Sequence, residues 1–165
     1  MVLFREVQRF TQAWLWIVIL LSLSGAFVAI YEAQNSRAIR NAPGAGPAIT
    51  ILSVISAAVV GWISQAKLIT EVRSDALSVR FFLLWPERLI PWNEIQSAEP
   101  VTYNPLLEYG GWGVRFGRNG RAYNVKGSRG VQLVLTNGKR ILVGSEQPEA
   151  LARSIWERTG RRPPA

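Results

Sequence analysis

Apolar positions follow three different rhythms along this chain. From Phe10 to Tyr31, 22 consecutive residues carry no formal charge. Their centre, Trp14-Leu-Trp-Ile-Val-Ile-Leu-Leu21, is apolar on every side of a helix, whereas a helix buried in a domain in water would keep a polar stripe. At ~1.5 Å per residue, about 20 such residues match the ~30 Å hydrocarbon layer of a bilayer. Trp14, Trp16 and Tyr31 stand where interfacial aromatic anchors are expected. A second uncharged stretch, Asn41 to Ala66, is most apolar between Ala48 and Ser64. Its hydroxyls, on Thr50, Ser53, Ser56 and Ser64, can bond back to helix carbonyls. Small residues recur four apart at Ser53, Ala57 and Gly61, and at Ser22 with Ala26 and Gly25 with Ala29, a spacing that lets two helices approach closely. The pattern predicts a transmembrane helical hairpin with spans of about 11–31 and 47–66, joined by the breaker-rich Asn41-Ala-Pro-Gly-Ala-Gly-Pro47. A cleaved signal sequence would also follow Arg5 and Arg9, but its apolar core is usually about 7–15 residues long. Arg5, Arg9, Lys67, Arg73 and Arg80 flank the outer ends and only Arg37 and Arg40 the loop, which predicts a plasma-membrane protein with both termini cytoplasmic.

From Lys67 the rhythm changes to a period of two. Leu77, Val79, Phe81 and Leu83 alternate with Ser78 and Arg80, as in a half-buried strand turned at Ser74-Asp-Ala76 against Leu68–Val72. Val131–Thr136 and Lys139–Val143 flank Asn137-Gly138, the signature of a hairpin closed by a two-residue type I′ turn. Shorter strands are expected over Ile95–Thr102, Gly113–Phe116 and Arg121–Lys126. The third rhythm is helical. Leu151, Ala152, Ile155 and Trp156 share one face behind Pro148, and Gly160 can close the helix. The chain thus divides into an N-terminal tail with the membrane hairpin (1–66), a mainly β, α+β domain of about seven strands (67–160) and a flexible tail (161–165).

The segment Arg88-Leu-Ile-Pro-Trp-Asn-Glu-Ile-Gln-Ser97, set between strands and behind two uncharged stretches, resembles small bacterial two-span membrane proteins with a pleckstrin-homology-like domain. Tyr103-Asn-Pro-Leu-Leu-Glu-Tyr-Gly-Gly-Trp-Gly-Val-Arg115 and Arg121-Ala-Tyr-Asn-Val-Lys-Gly127 are similar to a subgroup of them. The resemblance implies two near-orthogonal antiparallel sheets capped by a C-terminal helix. It implies no biochemical activity, because a fold alone does not carry one.

Composition narrows the chemistry. Histidine and cysteine are absent, which excludes Cys/His zinc sites, disulfides, a cysteine nucleophile and a histidine triad. Gly110-Gly-Trp-Gly-Val-Arg-Phe-Gly117 is one residue too long for the dinucleotide fingerprint and lacks a βαβ setting, so it reads as a turn or bulge. Glu94, Glu99 and Glu108 do not pair by spacing, and Asp75 sits in a turn. The sequence therefore predicts no catalytic residue, no cofactor, no metal ligand and no enzyme activity.

Nineteen Lys and Arg face eleven Asp and Glu, a net charge of +8. Arg115, Arg118, Arg121, Lys126 and Arg129 lie close together without an acid among them, interleaved with Trp112, Phe116 and Tyr123. They are the candidate contacts for an anion or anionic lipid headgroup, where each cation near such a surface is worth about 1 kcal/mol. Phe81-Phe-Leu-Leu-Trp85 is apolar on both faces, so Phe82 and Leu84, with Trp112, are candidate contacts for a protein partner. The expected function is that of a non-catalytic integral membrane protein whose cytoplasmic domain is an interaction or scaffold module binding a protein partner or anionic lipid. The alternatives are a purely structural domain with an unspecific basic surface, and nucleotide or nucleic-acid binding.

Overall fold

A computed structural model describes residues 2–11, 13–35, 45–83, 85–117 and 120–160. The chain forms two units, Thr11–Gln65 and Met1–Phe10 with Ala66–Ala165. The first is a pair of contacting helices, α1 (Ala13–Asn35) and α2 (Ala45–Gln65). Leu20, Leu21, Phe27 and Tyr31 of α1 and Ile51, Val54, Ile55 and Trp62 of α2 are exposed. Among the described residues, no helix is long and apolar enough to cross a membrane. This corrects the expected membrane hairpin with spans of about 11–31 and 47–66, and with it the two-span plasma-membrane placement and cytoplasmic termini. Absence of charge is a weaker criterion than apolar content. The middle of α1 holds Ser22, Ser24 and Gly25 and its end is Tyr31-Glu-Ala-Gln-Asn35, while α2 holds Thr50, Ser53, Ser56, Gly61, Ser64 and Gln65. Two of these hydroxyls turn back on their own helices, Ser24 Oγ donating to the Leu21 carbonyl at 2.9 Å and Ser64 Oγ to the Gly61 carbonyl at 2.7 Å. Most of the expected interhelical loop and the tail 161–165 lie outside the described residues.

The second unit is two sheets and a C-terminal helix. One sheet has the order β1 (Phe4–Arg9), β2 (Lys67–Val72), β3 (Ala76–Phe82), β4 (Trp85–Pro91), every pair antiparallel. A 3₁₀ turn, Trp92–Glu94, leads into β5 (Ile95–Thr102). Then come α3 (Pro105–Tyr109), β6 (Gly113–Gly117), β7 (Gly120–Asn124), β8 (Arg129–Leu135), β9 (Arg140–Gly144) and α4 (Pro148–Thr159). The second sheet has the order β5-β8-β9-β7-β6. The strands thus number nine among the described residues rather than about seven, and the sheets are not wholly antiparallel. The β8–β9 hairpin doubles back to place β9 beside β7, and that pair runs parallel.

Alternation supplies the core. Leu68 and Val72 of β2, Leu77, Val79 and Phe81 of β3 and Ile90 of β4 join Tyr123, Val131, Leu133, Ile141 and Val143 of the other sheet in one buried cluster. Leu151, Ala152 and Ile155 close it from α4. Burying such side chains is worth about 1.5–3 kcal/mol each relative to exposure. Pro148 opens α4, and Gly160 ends it in a left-handed conformation with its N–H on the Trp156 carbonyl at 2.9 Å. Trp156 Nε1 donates to the Ala98 carbonyl of β5 at 2.7 Å, tying the helix to the sheet it covers.

Three local expectations change. Residues 1–10, read as part of a tail, contribute β1, which pairs with β2 although the whole helical unit intervenes in sequence. Pro86–Pro91, for which no strand was expected, belongs to β4, where prolines are tolerated because the strand is an edge. The β8–β9 connection is a hairpin, but its turn is not type I′. The Gly138 N–H bonds the Leu135 carbonyl and only Gly138 takes a positive φ, at 76°, while the Asn137 side chain accepts from the Lys139 N–H at 3.0 Å. That is a three-residue loop ending in a left-handed glycine, a geometry that also matches strand twist.

One face of the first sheet carries a charged network. Arg73 bridges Glu71 at 2.7 Å and Glu87 at 2.8 Å, and Arg5 reaches Glu71 across the β1–β2 pair at 3.2 Å. The Ser78 hydroxyl, donating to Glu87 Oε1 at 2.6 Å, and the Arg73 guanidinium hold the Glu87 carboxyl below the usual carboxylate range, against partial desolvation. A depressed carboxyl contributes stability that is full above its unfolded value and lost as pH falls through its folded one. In Ser78→Ala, the Glu87 carboxyl is expected to titrate closer to the ordinary range, so the variant is less stable than the parent near neutral pH and the difference narrows as pH falls. Denaturant midpoints measured from pH 7 down to pH 2 check this, and superimposable curves for parent and variant contradict it.

Candidate anion-binding pocket

A cavity of about 580 Å³ opens where the β6–β7 end and the β8–β9 turn meet β4. That volume lies within the ~300–1,000 Å³ range of small-molecule sites. Arg88, Arg121, Lys139 and Arg140 line it together with Phe116, and no carboxylate does. Each cation arrives by a separate piece of local logic. Side chains alternate along β4, so Arg88 shares a face with buried Ile90 and is turned away from the face of Glu87. Arg121 stands directly across the β6–β7 pair from Phe116, and its guanidinium lies 4.4 Å from the Phe116 ring centre. Arg121 Nη1 also donates to the Tyr123 hydroxyl, two residues along the same face, at 3.2 Å. Lys139 and Arg140 follow the Gly138 turn, and Arg140 precedes Ile141, the parallel partner of Arg121.

Glycines make this convergence sterically feasible. A Cβ on Gly120 would lie 2.1 Å from the Arg140 carbonyl oxygen, and one on Gly117 would lie 2.3 Å from that of Glu108. Only a residue without a side chain lets the first residue of β7 press against the first residue of β9.

Among the described residues, none of the four cations is ion-paired within 4.0 Å. Three of the basic residues singled out in the sequence are engaged elsewhere. Lys126 pairs with Glu146 at 2.7 Å, Arg129 pairs with Glu149, and Arg115 Nε donates to the Trp112 carbonyl at 3.0 Å. Among the described residues, Arg121 is the one basic residue singled out in the sequence that lines the pocket, and Arg118 lies outside them. Phe82 is half-buried, with Lys67 Nζ 4.7 Å and the Arg80 guanidinium 5.4 Å from its ring centre. Trp112 Nε1 donates to the Gly127 carbonyl at 3.1 Å, and Leu84 lies outside the described residues. The structure does not bring Phe82 and Trp112 into one surface with the pocket lining. Arg88, Lys139 and Arg140 were missed in the sequence. Lys139-Arg140 directly after Asn-Gly was a readable signal, whereas Arg88 comes from the other sheet and gave none.

Arginine and lysine offer donors and positive charge only, so the lining repels metal cations and recognises acceptors. Guanidinium groups match phosphate and carboxylate oxygens in pairs. No protein family, curated protein or solved structure matches the chain.

Proposed function

We propose that the chain is a non-catalytic binding module that holds a phosphate-bearing ligand in the Arg88–Arg121–Lys139–Arg140 pocket. The observation that carries this reading is four cations converging on one pocket with no ion-pair partner among the described residues, whereas Arg5, Arg73, Lys126 and Arg129 of the same domain each meet an acid. Unpaired like charges brought together destabilise the free protein, and an anion between them relieves that repulsion. The same chemistry is presented by a free phosphate compound and by an anionic lipid headgroup.

Pyrophosphate is expected to bind the full chain and raise its unfolding temperature, less so as salt is added. Arg88→Ala or Arg140→Ala is expected to weaken it about tenfold, the worth of one charge-assisted contact of about 1.5 kcal/mol. Lys126→Ala, whose charge already meets Glu146, is expected to change nothing. Calorimetric titration reads these effects, and absence of pyrophosphate binding at ~50 mM salt defeats the proposal. Phosphatidylserine vesicles form the second arm. Sedimentation with vesicles that pyrophosphate competes away identifies the headgroup as a source.

A further inference from the structure

We infer that the pocket's ligand carries at least two neighbouring phosphates joined to a planar aromatic group, as a nucleoside diphosphate does, because the four cations converge beside an exposed Phe116 ring that Arg121 already covers on one face. This rests on the phosphate reading above and specifies it. The number and origin of the cations argue for more than one phosphate. Arg88 comes from β4 of one sheet, Arg121 from β7 of the other, Lys139 from the β8–β9 turn and Arg140 from the start of β9, so they reach the space from different elements rather than forming a stripe along one. One phosphate presents few oxygens and at most two charges to groups arriving from three directions, whereas a diphosphate spans them with its two centres. An extended nucleic-acid backbone needs a stripe of charge along its track, which three converging directions do not supply.

Phe116 argues for the aromatic group. Its side chain remains exposed, with a relative accessibility of 67% in a residue of edge strand β6, although it lines the cavity. Core packing therefore does not account for its position. The Arg121 guanidinium 4.4 Å from the ring centre makes a cation–π contact that fixes both groups and leaves the rest of the ring as a platform. A base laid on such a platform places its phosphates among the cations beside it. Of the glycine-rich Gly110–Gly117 segment, Phe116 and Gly117 line the pocket, while Gly110 is the left-handed cap of α3.

The test is calorimetric titration of the full chain with pyrophosphate and with adenosine diphosphate. Adenosine diphosphate is expected to bind about tenfold more tightly than pyrophosphate, the usual scale of one base stacked on an aromatic side chain. Phe116→Ala is expected to remove that preference while leaving pyrophosphate affinity within about twofold, and Phe116→Trp to restore it. The pyrophosphate control separates loss of the platform from misplacement of Arg121. Equal affinity for the two ligands in the parent protein overturns the inference and leaves the phosphate reading standing. So does a preference that survives Phe116→Ala. If neither ligand binds, the phosphate reading fails, and this inference fails with it.

Discussion

Gly120→Ala is expected to destabilise the β domain by about 4 kcal/mol, among the larger effects of a single methyl group. Two penalties coincide at this position. The backbone φ is +98°, a region L-residues rarely adopt, and the added Cβ would stand 2.1 Å from the Arg140 carbonyl oxygen and 2.8 Å from its carbon. Neither atom belongs to a flexible side chain that could swing aside. Relief requires β7 to move away from β9 and so disrupts the parallel pairing of Arg121 with Ile141. Gly138→Ala supplies the comparison. Its φ is also positive, at +76°, but nothing lies within 4 Å of its added Cβ, so only the conformational cost of about 1–2 kcal/mol remains. Urea unfolding of the two variants beside the parent separates clash from conformation. Equal losses would remove the close approach of β7 to β9 as the reason for Gly120, and with it the account of how Arg121 and Arg140 reach one pocket.

What the sequence made legible follows from which physical signal each element carries. β3 alternates apolar and polar residues because one face meets the core, β8 and β9 flank the Asn137-Gly138 turn signal, and α4 bears its apolar stripe between a proline and a glycine. These were readable. β1 was not, because its pattern is inverted: Val7 is exposed while Glu6 and Gln8 are buried. β4 begins Trp85-Pro86 and ends in Pro91, and prolines argue against a strand unless it is known to be an edge. The two uncharged stretches were legible as helices α1 and α2. The pocket was legible only at Arg121 and Phe116, which face each other across one hairpin. Their convergence with Arg88 is a contact between sheets, and no local spacing encodes it.

The inverted strand leads to the other large effect. Glu6→Ala is expected to cost about 3 kcal/mol, although the deleted side chain is a carboxylate on an edge strand. Glu6 is 9% exposed and accepts from Ser145 Oγ at 2.5 Å, Gln8 Nε2 at 2.8 Å and the Glu146 N–H at 2.7 Å. Gln8 Nε2 donates also to the Gly144 carbonyl at 2.9 Å, and Ser145 Oγ accepts from the Gln147 N–H at 3.0 Å. One carboxylate therefore organises the turn that carries the chain from β9 into α4, and it does so from the first strand of the other sheet. Removing it leaves the Glu146 N–H and the Ser145 hydroxyl without their acceptor, and a buried donor so stranded costs about 1–3 kcal/mol. Glu6→Gln keeps one acceptor oxygen but turns an NH₂ toward neighbours that are mostly donors, so it is expected to recover about half of the loss. Val7→Ala, on the exposed face of the same strand, is expected to stay within about 0.5 kcal/mol of the parent. Denaturant unfolding gives the ranking, and hydrogen exchange at residues 4–9 locates it. The reason for the ranking is geometric: an edge strand with a polar inner face holds its place through acceptors aimed at stranded donors, and apolar area has little part in it. Glu6→Ala matching Val7→Ala would show that β1 is held by its ladder to β2 alone.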